Sequence, residues 1–353
     1  MVNATGFLIA FALAAALVPL LARAAPRLGL LDHPSAARKQ HTRPVPLVGG
    51  IAMGAAILAA YHASSLGQHL ETNLGVALAI TLVGGVLDDR REQGSGMKFA
   101  FQIAAAAVVA TTTDALLTHL GFLMSTQLFT LGRWSVALTI FAIVGVMNAL
   151  NMADGVDGLA GCLALSALML FGLAASLAGD TFIFALIAIG IGALAGFLAW
   201  NAPLPGRRHA AVFMGDTGSM LLGLMLAWFA IRLAMTPVPA LEPRAALSPI
   251  AAVWILGVPI ADTVTIMTRR VLRGASPFVG DREHVHHILL ASGLSERQVL
   301  ALLFVVSLAL GFAGLAAGWL GIPDYALFYA YMAGLLAWGC AAEVACRRLK
   351  LRA

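Results

Sequence analysis

The sequence predicts an all-α integral membrane protein, a polytopic bundle of about eleven transmembrane helices with the N-terminus outside and the C-terminus in the cytoplasm. Of its 353 residues, 60% are hydrophobic and only 11% are charged, whereas soluble domains average ~25% charged residues. A soluble chain of this length could not bury so much apolar surface. The composition therefore excludes an ordinary cytosolic enzyme, a secreted disulfide scaffold and a disordered chain.

The apolar segments that approach the ~20 residues of a bilayer-spanning helix set the predicted elements. In chain order they are Gly6–Ala22, Leu47–Ala63, Leu74–Leu87, Phe99–Thr113, Trp134–Met147, Leu159–Ala178, Phe182–Trp200, Ser219–Ala234, Pro249–Thr268, Val299–Leu320 and Tyr325–Ala345. Residues 114–133 are only partly apolar, and a hairpin or a surface helix are the two alternatives there.

The positive charges set the predicted orientation. All but three of the 22 Lys and Arg residues fall on one alternating set of loops, and the exceptions are Arg133, Arg232 and Arg244. Because Lys and Arg accumulate on cytoplasmic loops, that set faces the cytoplasm. We expect one catalytic domain over residues 1–353, with its site built from the cytoplasmic loops near 26–46, 88–98, 148–158, 201–218 and 269–297.

Adjacent carboxylates mark the end of the third span. Asp88 and Asp89 stand together there, and Lys98 lies at the start of the next span. Neighbouring carboxylates repel each other unless a cation or a proton lies between them. A hard metal ion or a cationic partner is one interpretation, and a solvated helix end is the other.

The loop after the fifth span repeats a polar residue at every third position. Asn148, Asn151, Asp154 and Asp157 gather on one side of a helix or tight turn. Gly155 allows a ligand to approach the backbone closely. Donors that are all oxygen favour Mg²⁺ over Zn²⁺.

Two further motifs lie on the same side. In Phe213-Met-Gly-Asp216-Thr-Gly-Ser219, the polar residues are expected to cap the eighth span, and the aromatic ring could stack on a base. The longest cytoplasmic loop carries Asp281, Arg282, His284, His286 and His287, which suit a phosphate or sugar hydroxyls better than zinc. Upstream, Asp262 is expected to pair with a nearby cation.

Mg²⁺ and phosphate chemistry is the simplest purpose that these motifs share. The four ordered motifs, with Arg43-Pro-Val-Pro-Leu-Val-Gly49-Gly50 before them, resemble the polyprenyl-phosphate N-acetylhexosamine-1-phosphate transferases, glycosyltransferase family 4. The resemblance runs from about Gly29 to Ser295. The His-x-His-His form is similar to the undecaprenyl-phosphate N-acetylglucosamine-1-phosphate transferase branch, which starts O-antigen, common-antigen or teichoic-acid linkage synthesis.

The resemblance implies that undecaprenyl phosphate attacks the β-phosphorus of a UDP-N-acetylhexosamine and releases UMP at the bacterial inner membrane. It implies that Asp88, Asp89, Lys98 and Asp216 are catalytic, and that Asp216 and Asn151 hold Mg²⁺, or Mn²⁺ in its place. It implies that the substrate-binding residues are Asn151, Asp154, Asp157, Phe213, Asp281, Arg282, His284, His286 and His287. The expected partners are both substrates and the lipid bilayer, without nucleic acid; a homodimer is compatible with the family.

Three alternatives stay open from the sequence. A secondary transporter would use glycine-rich broken helices, although transporter sites lie near the bilayer midplane. The peptidoglycan branch of the same family accepts UDP-N-acetylmuramoyl-pentapeptide but usually has three adjacent histidines, a run that Val285 interrupts here. A catalytically inactive scaffold that binds nucleotide-sugar is the third.

Overall fold

The computed structural model describes residues 2–34, 43–64, 66, 72–91, 94–203, 209–236, 245–274, 276, 283–349 and 351. Within these residues the chain forms thirteen α-helices and one two-stranded ladder. The helices are α1 Val2–Leu28, α2 Gly49–Ala63, α3 Thr72–Arg91, α4 Ser95–Thr112, α5 Ser135–Ala153, α6 Leu159–Leu177, α7 Thr181–Asn201, α8 Gly215–Met235, α9 Pro249–Ile255, α10 Gly257–Leu272, α11 Val285–Ala291, α12 Glu296–Trp319 and α13 Asp324–Arg348.

The helices identify an all-α polytopic membrane protein. Among the described residues, seven are long and apolar enough to cross a bilayer, and the bent pair α9–α10 makes up to eight. Of the other predicted spans, α2 is apolar but has 15 residues, and α3 and α4 are not among these helices. Each of the eleven predicted segments nevertheless corresponds to one helix or to that pair.

Helix α8 lies at the centre of the bundle, and glycines let its neighbours approach its backbone. A Cβ atom built on Gly85 of α3 would lie 2.4 Å from the Cα of Thr217, and one on Gly50 of α2 would lie 2.2 Å from the amide nitrogen of Gly218. On its other side, a Cβ on Gly223 would lie 2.5 Å from the Cα of Met147 in α5. Small residues of this kind allow close helix packing within a membrane. The beginning of α8 is thereby held against α2 and α3.

The ninth predicted span is not a straight helix. The expected element Pro249–Thr268 is divided into α9 and α10, which meet at an angle of 83° around Leu256. Pro259 has no amide hydrogen, so it cannot donate the helical bond that a continuous helix needs at this point. After the bend, α10 packs against α5, α12 and α13, and Val271 and Leu272 at its end are exposed.

Polar groups gather at the two opposite ends of the bundle. At one end, the amide of Phe122 donates to Asp324 at 3.1 Å, and the amide of Thr118 contacts the sulfur of Met235. Residues 118–131 form the hairpin that was one of two alternatives for this segment. The amide of Leu120 donates to Phe129 O, and the amide of Leu131 donates to Thr118 O. The polar motifs all lie at the other end.

A short ladder lies beside the second end. Strand β1, Leu31–Asp32, pairs antiparallel with β2, Val45–Pro46. Leu47 then bridges to Phe213, immediately before α8. This contact brings the segment between α1 and α2 to the polar end of the bundle.

Candidate active site

Asp89 caps α8 from another helix. Its carboxylate accepts hydrogen bonds from the amide of Asp216 at 2.7 Å, from the amide of Thr217 at 3.1 Å and from the Thr217 hydroxyl at 2.5 Å. Gly215, at φ +70°, leaves room for this carboxylate, because a Cβ atom there would lie 2.5 Å from its oxygen. The expectation that Asp216, Thr217 and Ser219 cap the helix themselves is wrong, because these residues lie inside its first turn and Asp89 accepts the amides there, while the N-cap residue Met214 makes no side-chain bond.

Lys98 lies among the acidic groups that the sequence singled out. Its ammonium donates to Asp216 Oδ1 at 2.6 Å and to Asn151 Oδ1 at 3.0 Å, and it is 3.5 Å from Asp88 Oδ2. Asn151 also donates to Asp216 Oδ1 and to the Ser219 hydroxyl. Residues from α3, α4, α5 and α8 thus form one cluster, as the motifs predicted.

Asn148 and Asn151 occupy different places on α5. The amide of Asn148 donates to Gln102 Oε1 at 2.8 Å, and Gln102 is fully buried between α4 and α5. Asn148 is therefore a packing residue, whereas Asn151, one turn later, reaches the acidic cluster.

Asp154 and Asp157 lie in the turn that follows α5. Burial, with added repulsion from Asp216, Asp157 and Asp89, raises the pKa of Asp154 from 3.8 to about 7 against the opposing effect of Lys98. Asp157 accepts a bond from the amide of Ala210 at 2.6 Å. This bond ties the turn to the segment that leads into α8.

Phe213 is half-buried where that segment meets the loop before α2. Its amide donates to Pro46 O at 2.9 Å, and its carbonyl accepts from the amide of Gly49 at 3.0 Å. The backbone around the ring is therefore fixed at the edge of the cluster.

The three histidines lie at the beginning of α11, against the same turn. The rings of His286 and His287 are 4.3 Å apart, and those of His284 and His286 are 5.4 Å apart. A Cβ on Gly155 would lie 2.4 Å from His286 Nε2, so the missing side chain lets the ring reach the turn. Burial, with the charges of its two neighbours, lowers the pKa of His286 well below 6.5. Asp281 and Arg282, predicted to act with these rings, lie outside the described residues.

Asp262 has a different partner from the one expected. Its carboxylate lies 2.7 Å from His284 Nδ1 and accepts from the amide of Val285 at 2.9 Å. Arg269, seven residues further along α10, binds Glu283 at 2.8 Å and Glu343 at 3.1 Å.

An ion-pair network that the sequence did not suggest anchors this loop. Arg273 joins Arg269 in binding Glu283, at 2.7 Å, and Glu343, at 3.0 Å. Glu343 lies on α13, far along the chain, so no local spacing could have revealed this contact. The network attaches the residue before His284 to both α10 and α13.

The site offers oxygen donors, excess negative charge and one buried imidazole pair on a single face. Asp88, Asp154 and Asp216 supply carboxylates, and among the described residues Lys98 is the cation that contacts them. Carboxylate and amide oxygens are the ligands that Mg²⁺ prefers. Burial and then repulsion raise the pKa of Asp154, and a divalent cation would offset that repulsion. Asp216 and Asn151 could hold such a cation with their oxygens.

The fold and site define a polytopic membrane protein with a cluster of carboxylates, a lysine and histidines at one end of its helices. Residues 72–234 match the sequence profile of glycosyl transferase family 4. The undecaprenyl-phosphate α-N-acetylglucosaminyl 1-phosphate transferase of Escherichia coli O157:H7 is 32% identical over 323 residues, which cover 90% of this chain and 84% of that protein.

Two further relatives agree. The transferase of the same name from Salmonella typhi is 31% identical over 89% of this chain and 83% of its own length. A probable undecaprenyl-phosphate N-acetylglucosaminyl 1-phosphate transferase of Bacillus subtilis is 31% identical over 82% of this chain and 78% of its own. The chain belongs to glycosyl transferase family 4, which confirms the resemblance drawn from its motifs.

Proposed function

We propose that this protein transfers N-acetylglucosamine 1-phosphate from UDP-N-acetylglucosamine to undecaprenyl phosphate. An oxygen of the lipid phosphate forms a bond to the β-phosphorus of the donor, the bond to the UMP oxygen breaks, and UMP leaves. The product is a lipid-linked sugar pyrophosphate that starts a cell-envelope polysaccharide. The observation that carries the proposal is the cluster of Lys98, Asp88, Asn151 and Asp216, drawn from four helices of a family 4 chain.

We assign the metal position to Asp216 and Asn151, with Mg²⁺ as the expected ion and Mn²⁺ as the substitute. The ion would neutralise the pyrophosphate of the donor and the charge that develops on the leaving phosphate. Asp89 supports this position because it holds the amides of Asp216 and Thr217 in place. The Asn151 amide, bound to Ser219 at 2.9 Å, is fixed in the same way.

Lys98 and Asp88 are assigned to the lipid phosphate. A phosphate monoester has a second pKa of about 6, so the nucleophile is already largely ionised at neutral pH. It needs charge neutralisation and alignment more than it needs a base. We therefore assign the larger effect to Lys98 and the metal, and a positioning role to Asp88.

The donor is assigned to the face between the α5–α6 turn and α11. Phe213 would stack on uracil, and Asp154 and Asp157 would hold the nucleotide. His284, His286 and His287, with Asp281 and Arg282, would contact the sugar and its phosphate. His286 supports this, because its Nε2 is buried and has no hydrogen-bond partner in the described part of the chain.

We infer that the site faces the cytoplasm of a bacterial cell and that the chain crosses its inner membrane eleven times. The supporting observation is that the ends of α3 and α5 and the starts of α4 and α8 share the site, while the hairpin 118–131 and the start of α13 lie at the other end. The loops rich in Lys and Arg connect the helices at the same end as the site, and such loops face the cytoplasm.

The test is UMP release by purified protein in detergent, with Mg²⁺ and a panel of UDP-sugars, in the presence and absence of undecaprenyl phosphate. Lipid-dependent release with UDP-N-acetylglucosamine is the expected result. Lipid-dependent release with UDP-N-acetylmuramoyl-pentapeptide alone would move the chain to the peptidoglycan branch. No release with any donor from a folded sample would refute the transferase assignment.

A further inference from the structure

A buried carboxylate that the proposed chemistry does not use contacts the histidine loop. Asp262 lies on α10 and is only 6% exposed, and His284, 22 positions further along the chain, is 7% exposed. A buried carboxylate destabilises the fold unless each of its oxygens accepts a hydrogen bond. Both are bonded here, and both partners belong to the beginning of α11.

The two bonds have separate consequences. Oδ1 accepts the amide of Val285 at 2.9 Å, which satisfies a free amide in the first turn of α11. Oδ2 lies 2.7 Å from His284 Nδ1. Because an ionised carboxylate can only accept, the proton of this bond belongs to Nδ1, and Nε2 is directed away from Asp262.

The ring of His284 is held on other sides as well. It stacks on His286 at an angle of 13° and lies edge-on to His287, with ring centres 6.4 Å apart. The residue before it, Glu283, is bound by Arg269 and Arg273. The position of the ring is thus fixed by several contacts. Within the described part of the chain, the bond to Asp262 is the one that fixes which nitrogen carries the proton.

We propose that Asp262 is a positioning residue that sets the tautomer and orientation of His284, so that its Nε2 faces the donor's sugar phosphate. This inference rests on the proposed function of the histidine loop. The bend between α9 and α10 contributes to this positioning, because it turns the chain so that Asp262 reaches the first residue of α11. In many sites, a carboxylate that accepts a bond from one histidine nitrogen sets both the tautomer and the orientation of the ring.

The test compares Asp262→Asn with Asp262→Glu. The asparagine has nearly the same volume, and its oxygen can still accept the amide of Val285, but its amide group would then donate to Nδ1 and move the histidine proton to Nε2. Asp180→Asn is the matched control, because Asp180 also caps a helix, accepting from the amide of Ile183 at 3.0 Å, and lies away from the site.

Two measurements decide the matter. In UMP release, we expect Asp262→Asn to lower kcat/KM for UDP-N-acetylglucosamine roughly 10–100-fold and to leave KM for undecaprenyl phosphate unchanged. Asp262→Glu should recover at least part of the loss, and Asp180→Asn should keep the wild-type values. Equal losses in Asp262→Asn and Asp262→Glu, or wild-type kinetics in Asp262→Asn, would overturn the proposal.

The second measurement does not depend on activity. In protein labelled with ¹⁵N-histidine, with the His284 signal assigned by its loss in His284→Gln, Nδ1 should carry a proton in the wild type and lose it in Asp262→Asn. An unprotonated Nδ1 in the wild type would overturn the proposal. If the wild type releases no UMP, the proposed function fails, and this spectrum still decides whether Asp262 sets the tautomer.

Discussion

At the scale of single residues, the site depends on negative charges that are held close together. Asp89 is satisfied by the amides of α8, and Asp216 by Lys98 and Asn151. Burial, with repulsion from neighbouring carboxylates, raises the pKa of Asp154 to about 7. The carboxylates therefore differ in role: Asp89 stabilises the start of α8, whereas Asp154 and Asp216 are available to a cation or a substrate.

The first prediction concerns the pH dependence of Mg²⁺ binding. Because the pKa of Asp154 is raised to about 7, the group is ionised above that pH and becomes neutral as the pH falls through it. A divalent cation competes with this proton. The Mg²⁺ concentration that gives half-maximal UMP release should therefore rise as the pH is lowered from about 8 to about 6.

The matched variant is Asp154→Asn, in which the competing proton is absent. Its Mg²⁺ requirement should already be higher than that of the wild type at about pH 8 and should change less towards about pH 6. If wild type and variant respond to pH in parallel, Asp154 is not the group that couples protons to the metal.

At the scale of elements, the site is positioned by helices that meet α8 through glycine. The sequence predicted the spans and their polar ends, since both follow from local composition. It did not predict that Asp89 caps α8, because this requires the approach that Gly85 allows. The sequence did not predict the bend at Leu256, because the residues on both sides of it are apolar and resemble one continuous span. The pairing of Asp262 with His284 depends on that bend.

The second prediction compares two glycines of α3. In Gly85→Ala, the new methyl group would lie 2.4 Å from backbone Cα of Thr217, so α3 and α8 must separate. Overpacking of this kind costs about 1–3 kcal/mol, and we expect a lower apparent Tm in detergent together with loss of UMP release.

Gly75→Ala is the control within the same helix. Among the described residues, no atom outside the surrounding turns of α3 lies within 4 Å of a Cβ atom at Gly75. Alanine is favoured over glycine inside a helix by up to about 1 kcal/mol. Its apparent Tm and activity should equal or exceed those of the wild type. Equal losses in both variants would show that the contact between Gly85 and α8 does not set the effect.

At the scale of the whole molecule, the class of protein could be predicted from composition, and the family from four motifs in order. The structure and the relatives confirm both. The ion-pair network of Glu283 with Arg269, Arg273 and Glu343 could not be predicted, because it joins segments whose proximity depends on the packing of α10 against α13.

The third prediction concerns sidedness. Ser125, in the hairpin, and Ser292, after α11, are both exposed and lie at opposite ends of the bundle. In a background with the three native cysteines replaced, a membrane-impermeant maleimide applied to intact spheroplasts should label Ser125→Cys and spare Ser292→Cys. Detergent should expose both to labelling, and the reverse pattern in intact spheroplasts would place the site outside.

The most direct test of the central claim is a Mg²⁺ titration of lipid-dependent UMP release in the wild type and in Asp216→Asn. Asp324→Asn, at the far end of the bundle, is the control. We predict release that requires Mg²⁺ in the wild type and the control. In Asp216→Asn it should be lost roughly 100-fold or more at limiting Mg²⁺, as expected when a group that stabilises developing charge is removed. Full turnover of Asp216→Asn at limiting Mg²⁺ would contradict the account.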